Sequence, residues 1–174
     1  MIYLVRQGQT DWNLFHRCNG ITETFLNQTG IEQAKLQAEN LKNITFDACF
    51  CSPQIRTRQT CEIIHKGPVI FDDRLIEIIC GEFEGMEENT EMWESYWQAA
   101  ANGDRGTEKI DDFMKRSFDF CDMIRGKYKG KNVLIVIHAA NVRAITYYFR
   151  GKPKDYDFCV TPIGNGGLIM FENE

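Results

Sequence analysis

Five consecutive aliphatic residues, Val133-Leu134-Ile135-Val136-Ile137, stop abruptly at His138. The run is far too short to cross a membrane, which takes about 20 apolar residues. It also lacks the polar alternation of a strand with one face in water. An unbroken run of this length is the pattern of a parallel strand buried on both faces. Such a strand requires partner strands beside it and helices above and below, and the rest of the chain supplies candidates for both. Apolar runs at 2–5, 46–51, 69–71 and 168–171 read as further strands. Between them lie helical patterns. Ile31, Ala34, Ala38 and Leu41 recur at helical spacing after Gly30, and Ser52-Pro53 opens a helix to about His65. Another helix covers 141–149. Pro is well placed in a first helical turn, where its missing N–H is not needed.

From 87 to 128 the pattern is mostly helical. Trp93 and Trp97 lie four apart, and Ile110, Phe113, Met114, Cys121, Ile124 and Tyr128 trace one apolar face. The polar stretch Asn102-Gly103-Asp104-Arg105-Gly106 divides this region into two helices. Strands alternating with helices imply an α/β fold: a mostly parallel sheet with helices on both faces, and a small helical cap at about 87–128. With no repeat, linker or low-complexity segment in its 174 residues, the chain is expected to form a single domain over 1–174.

Composition narrows the partners. A net charge of −5 argues against nucleic acid or an anionic membrane. The start, Met1 to Arg6, has no secretory pattern, so the expected location is the cytoplasm. Seven cysteines (18, 49, 51, 61, 80, 121 and 159) form no CxxC pair and are expected to be reduced and mostly buried. His16, His65 and His138 have no metal-ligand spacing.

In open parallel sheets, ligands bind at the carboxyl ends of the strands. Three segments place polar residues there: Leu4-Val5-Arg6-Gln7-Gly8-Gln9-Thr10-Asp11-Trp12-Asn13, Cys51-Ser52-Pro53-Gln54-Ile55-Arg56-Thr57-Arg58-Gln59-Thr60, and Val136-Ile137-His138-Ala139-Ala140-Asn141-Val142-Arg143. A fourth, Asp73-Arg74-Leu75-Ile76-Glu77-Ile78-Ile79-Cys80-Gly81-Glu82-Phe83-Glu84-Gly85, follows the third strand. In order and spacing these resemble the histidine phosphatase superfamily, also called phosphoglycerate mutase-like, whose members open with a strand and then Arg-His-Gly-x-Thr-x-x-Asn. Arg17, Gly20, Leu26, Gly30, Gln33-Ala34, Gln59-Thr60 and Gly106-Thr107-Glu108 extend the resemblance.

The resemblance implies a phosphate pocket made by Arg6, Asn13, Arg56 and His138, with Glu77 at the position of the general acid. Arginine suits that work, because its planar fork of donors matches phosphate and stays charged. In the family a neutral histidine attacks phosphorus and becomes a phosphohistidine. This chain has Gln7 at that position. A carboxamide nitrogen, its lone pair delocalised into the carbonyl, is not a useful nucleophile, although it still donates hydrogen bonds. The expectation is a fold that binds small phosphorylated metabolites or inorganic phosphate, with phosphohistidine-dependent hydrolysis impaired or lost. The alternatives are an active phosphomonoesterase that uses another group, such as His138 or a water activated by Glu77, and one whose histidine is replaced in this chain alone. Mutase activity fits poorly, because mutases of the family are longer. No metal or organic cofactor is implied, and the sequence does not fix the oligomeric state. Arg58 and Arg143 are expected on exposed helix faces and Glu82 and Glu84 in solvent; Trp93 and Trp97 are expected in packing, on a helical cap that borders the pocket and can shape substrate choice.

Overall fold

A computed structural model describes residues 1–152 and 161–174. Strands β1 (Ile2–Arg6), β2 (Ala48–Cys51), β3 (Ile70–Phe71), β4 (Val133–Ile137) and β5 (Leu168–Phe171) form one sheet in the order β3-β2-β4-β1-β5. Neighbours run parallel except β5, which is antiparallel to β1. The helices are α1 (Asp11–Leu14), α2 (Gln28–Leu41), α3 (Ile55–Ile64), α4 (Thr90–Asn102), α5 (Ile110–Lys127) and α6 (Ala139–Arg150). None of the described helices is long and apolar enough to cross a membrane.

The apolar run that demands a double-sided sheet is β4, at the centre and wholly buried. Its odd and even positions feed two different cores. Val133, Ile135 and Ile137 join Ile2, Leu4 and Phe50 beneath Phe120, Cys121 and Ile124 of α5 and Val142 and Ile145 of α6. Leu134 and Val136 join Tyr3, Val5, Cys49 and Cys51 beneath Leu41 of α2 and Cys61 of α3. The two-residue period of the strand thus assigns one helix pair to each face. A third cluster, built on Phe83, Met92, Tyr96 and Phe113, lies around α4.

Several boundaries differ from the sequence reading for local reasons. The helix expected after Gly30 begins three residues earlier, at Gln28, because the Asn27 side chain accepts from the Gly30 N–H at 2.9 Å and caps it there. The helix expected from Ser52-Pro53 begins at Ile55, while Ser52 stays on the sheet edge through its N–H to Val136 O (3.1 Å). The helix expected at 141–149 starts at Ala139, directly after the strand. Ser117 and Phe120 complete the buried face of α5, which the apolar pattern traced only in part. Within 87–128, the segment expected as a helical cap, α5 lies against the sheet core, whereas α4 packs around the third cluster. Six of the seven cysteines are free and buried; Cys159 lies outside the described residues.

The register places the site. Arg6 pairs with Ile137 and Cys51 with Val136, so the chain leaves three adjacent strands at nearly one level, at Gln7, Ser52 and His138. The first of these loops is pressed against α2. A Cβ on Gly8 would meet the Gly30 carbonyl oxygen at 2.3 Å, and one on Gly30 would meet Gln9 O at 2.2 Å. Both glycines are therefore required by backbone-to-backbone contact. Gly8→Ala is expected to lower stability by about 1–3 kcal/mol through overpacking, measured as a lower urea midpoint with an unchanged slope.

Candidate active site

Above the carboxyl edge of β1, β2 and β4 lies a cavity of about 220 Å³. Arg6, Gln7, Asn13, Arg56 and Glu77 line it together, although they come from three separate stretches of chain. His138 does not line it. That ring is wholly buried behind the wall, where Nδ1 accepts from Arg56 Nε (3.2 Å) and Nε2 contacts Ser52 Oγ (2.8 Å). Because an arginine nitrogen only donates, Nδ1 carries no proton, and Nε2–H must donate to the serine. Burial first, then Arg56, Arg6 and Arg116, hold the imidazole well below its ordinary pKa of 6.5, so it is neutral.

Arg56 is 1% exposed and pinned on three sides. Besides its bond to His138, it donates to Gly20 O at 2.7 Å and Thr22 O at 3.0 Å. Those bonds occupy three of its roughly five N–H donors and leave the others for a ligand. Burial lowers its pKa, opposed by Glu77, Glu23 and Glu84. Arg6, at the end of β1, donates to Ile163 O at 3.1 Å, while its Nε is buried without a partner. Its pKa falls to about 10, mainly through burial, with Glu77 opposing and Arg143 assisting, so it remains cationic at neutral pH.

Gln7 is held by its backbone. Its N–H donates to Ile137 O at 2.9 Å and its carbonyl accepts from Gly166 N at 2.9 Å. Its side-chain Oε1 is buried with no hydrogen-bond partner. The Asn13 amide oxygen accepts from Thr10 N (3.1 Å), Thr10 Oγ1 (3.1 Å) and Asn165 Nδ2 (3.0 Å), which leaves its amide nitrogen as the group available to a ligand. The Glu77 carboxylate accepts from Ile78 N (2.9 Å) and Ala140 N (3.3 Å), and its own N–H donates to Gln54 Oε1 (2.8 Å).

Other residues were misplaced or missed in the sequence. Arg143, expected on an exposed face, is half-buried and borders the cavity, with Nε donating to Thr161 Oγ1 at 2.8 Å. The early start of α6 explains this, since it puts Ala139 and Arg143 one helical turn apart on the cavity side. Arg58 is exposed as expected and lies over the Phe71 ring. Glu84 is not merely solvated. Its carboxylate accepts from the N–H groups of Gly20 (3.1 Å), Ile21 (2.7 Å) and Thr22 (3.3 Å), fixing the loop whose carbonyls hold Arg56. Arg116 clamps Glu108 (2.6 and 2.8 Å) and donates to Arg74 O and Ile76 O, both at 2.7 Å, so the approach to Glu77 is tied to α5. Trp93 and Trp97, on the cap expected to border the pocket, stack at 5.9 Å and 20° and line the cavity.

Residues 2–172 match the family model of the histidine phosphatase superfamily (branch 1). The chain belongs to that superfamily. Among its relatives, the uncharacterised phosphatase PhoE of Bacillus subtilis is 34% identical over 83% of this chain and 74% of its own. A metal-independent phosphoserine phosphatase of Arabidopsis thaliana is 31% identical over 83% of this chain and 66% of its own. The solved structure of YhfR from Bacillus stearothermophilus shares the fold, with a TM-score of 0.81 over 96% of this chain and 88% of that one at 24% identity. The mostly parallel five-stranded sheet is thus the scaffold of phosphatases and mutases of this superfamily.

The buried imidazole gives this histidine phosphatase fold a pH signature. The folded pKa of His138 lies below the unfolded value, so its contribution is complete above about pH 6.5. As the pH falls below that value the unfolded chain takes up a proton that the folded chain refuses, and stability drops. Stability is expected to be lower at pH 5.5 than at pH 7.5. Urea unfolding at the two values measures it, and His138→Gln should abolish that component.

Proposed function

We propose that this member of the superfamily binds small phosphate monoesters or inorganic phosphate in the cavity, and that its phosphohistidine-dependent hydrolysis is impaired or lost at Gln7. One observation carries this reading. Gln7 follows β1 at the edge of the cavity, beside Arg6, Arg56 and Glu77, in the place where the family sequence pattern has its nucleophilic histidine. Arg6 and Arg56 are suited to the phosphoryl oxygens, Asn13 to one more of them, and Glu77 stands at the acid position. His138 acts here from behind, as a neutral acceptor that fixes the Arg56 guanidinium.

The same geometry disfavours His138 as a substitute nucleophile. Attack needs a free ring lone pair, and the lone pair of Nδ1 is occupied by Arg56 while Nε2 bears the proton given to Ser52. The names of the relatives keep an active phosphatase in view as the competing reading, with water as the attacking group. The cluster of cations and the family suit a phosphorylated small molecule rather than nucleic acid or a membrane.

The deciding comparison is the natural chain against Gln7→His on a panel of small phosphate monoesters. The expected outcome is negligible turnover for Gln7 and a gain of several orders of magnitude for histidine, since removal of a nucleophile in another hydrolase class costs about a millionfold. Equal activity of the two proteins would overturn the impairment. Failure of both to bind phosphate, followed by calorimetry, would overturn the pocket itself.

A further inference from the structure

On the face of the sheet covered by α2 and α3, three thiols share one core. Cys49 and Cys51 alternate along β2 and so point to the same side, and Cys61 of α3 packs down onto them. The sulfurs of Cys49 and Cys61 are 3.6 Å apart, in direct contact, although 12 residues separate them in the chain. Both residues are 1% exposed. Cys51 is engaged elsewhere, its thiol donating to Ser52 O at 3.1 Å. The proposed phosphate chemistry uses none of the three.

The two paired thiols are not equivalent. The hydrogen bond from Cys49 lowers the Cys61 pKa, with Cys51 and His65 assisting and burial opposing. Cys49 is pushed up by the same bond and then by burial. The thiolate is the attacking form of cysteine, so Cys61 is the nucleophile of the pair and Cys49 keeps its proton. Cys61 also lies in the last turn of α3, which closes with the His65 N–H on the Cys61 carbonyl at 2.8 Å. Helix ends open locally at little cost, so a molecule hardly larger than water reaches this sulfur without unfolding of the sheet.

We propose that Cys49 and Cys61 form a modification site, at which hydrogen peroxide oxidises the pair to an intramolecular disulfide that fastens β2 to α3. The Cys61 thiolate attacks one peroxide oxygen, the O–O bond breaks, and a sulfenic acid and hydroxide result. That hydroxide takes the proton of Cys49, whose sulfur then attacks the sulfur of Cys61 and displaces a second hydroxide. Counting the proton that Cys61 had released, two thiols and one peroxide become one disulfide and two waters, and two electrons pass from sulfur to oxygen. A disulfide is about 2.05 Å long, so the sulfurs have to approach by about 1.5 Å, a movement within the swing of two short unbranched side chains. A sulfenic acid with no thiol beside it goes on to sulfinic acid, whereas here the intercepting thiol is already in contact. Because α3 carries Arg56 in its first turn, the crosslink ties the helix that supplies the buried cation to the sheet.

The test exposes the folded, reduced natural chain to hydrogen peroxide, removes the excess with catalase, blocks the remaining thiols with N-ethylmaleimide in urea and reads the products by peptide mass spectrometry. The expected product is a Cys49–Cys61 crosslink, two hydrogens lighter than the reduced pair and reversed by dithiothreitol. Cys61→Ser should leave Cys49 as a thiol and slow its oxidation at least about tenfold, since the thiolate of the pair is gone. Cys49→Ser should lose the crosslink while Cys61 still reacts, trapped as its sulfenic acid by dimedone. The natural chain unfolded in urea should give mixed pairings in place of the single one. Survival of both thiols in the folded natural chain overturns the inference, as does conversion of Cys61 to sulfinic acid without a crosslink. An equal yield of the same crosslink from the unfolded chain overturns it too, because the folded contact would then count for nothing.

Discussion

A guanidinium sealed from water beneath the site is the constraint on which the surrounding loops depend. Arg56 is almost completely buried, and a buried cation is tolerable only where its donors find acceptors and opposite charge lies near. Gly20 O, Thr22 O and His138 Nδ1 provide the acceptors, and Glu77, Glu23 and Glu84 the countercharge. Each partner is itself held. Glu84 grips the 20–22 backbone, Ser52 accepts from His138, and Gln54 spans Gly20 O (3.0 Å) and Glu77 N (2.8 Å). The loops after β1, β2 and β4 and the 77–84 segment are therefore coupled through one ion. Lysine would not replace it, since a point charge cannot reach three acceptors in a fixed planar fork.

That arrangement explains how the fold can stand without a histidine at position 7. The network passes through Arg56, His138 and Glu77, and no hydrogen bond of the Gln7 side-chain oxygen enters it. What residue 7 gives the scaffold is its backbone, bonded to Ile137 O and Gly166 N. Those bonds are indifferent to the side chain. Chemistry at residue 7 and stability of the pocket are physically separable, so the proposed loss of a nucleophile need not erode the anion site around it.

The strands were legible because burial on both faces leaves a signal that few other environments produce. Val133–Ile137 and Leu168–Phe171 were read to the residue, and the order of strands and helices followed. Helix starts were less legible, since they depend on which side chain wins a cap: Asn27 took one, and β4 hands directly to α6 at His138. The misplacement of Arg143 descends from that second boundary. The polar segments at strand ends announced the meeting of Arg6, Gln7, Asn13, Arg56 and Glu77, as did the family pattern. Glu84 and Arg116 were hidden because their roles rest on three-dimensional partners far away in sequence. The place of His138 behind the wall was hidden for the same reason, although its position in the chain was plain.

Charge inside and outside the cavity also differ in a way that bears on selection of ligands. The whole chain is acidic at −5, yet among the described residues the guanidinium groups of Arg6, Arg17, Arg56 and Arg143 line the cavity with the carboxylates of Glu77 and Glu88. Attraction to an anion is therefore local. At physiological ionic strength a charge is screened within about 8 Å, so a small phosphate inside the cavity meets the arginines while a long polyanion would also meet the acidic exterior. On the proposed phosphate reading, binding strength comes from the pinned donors of Arg56 at short range rather than from the charge of the chain as a whole.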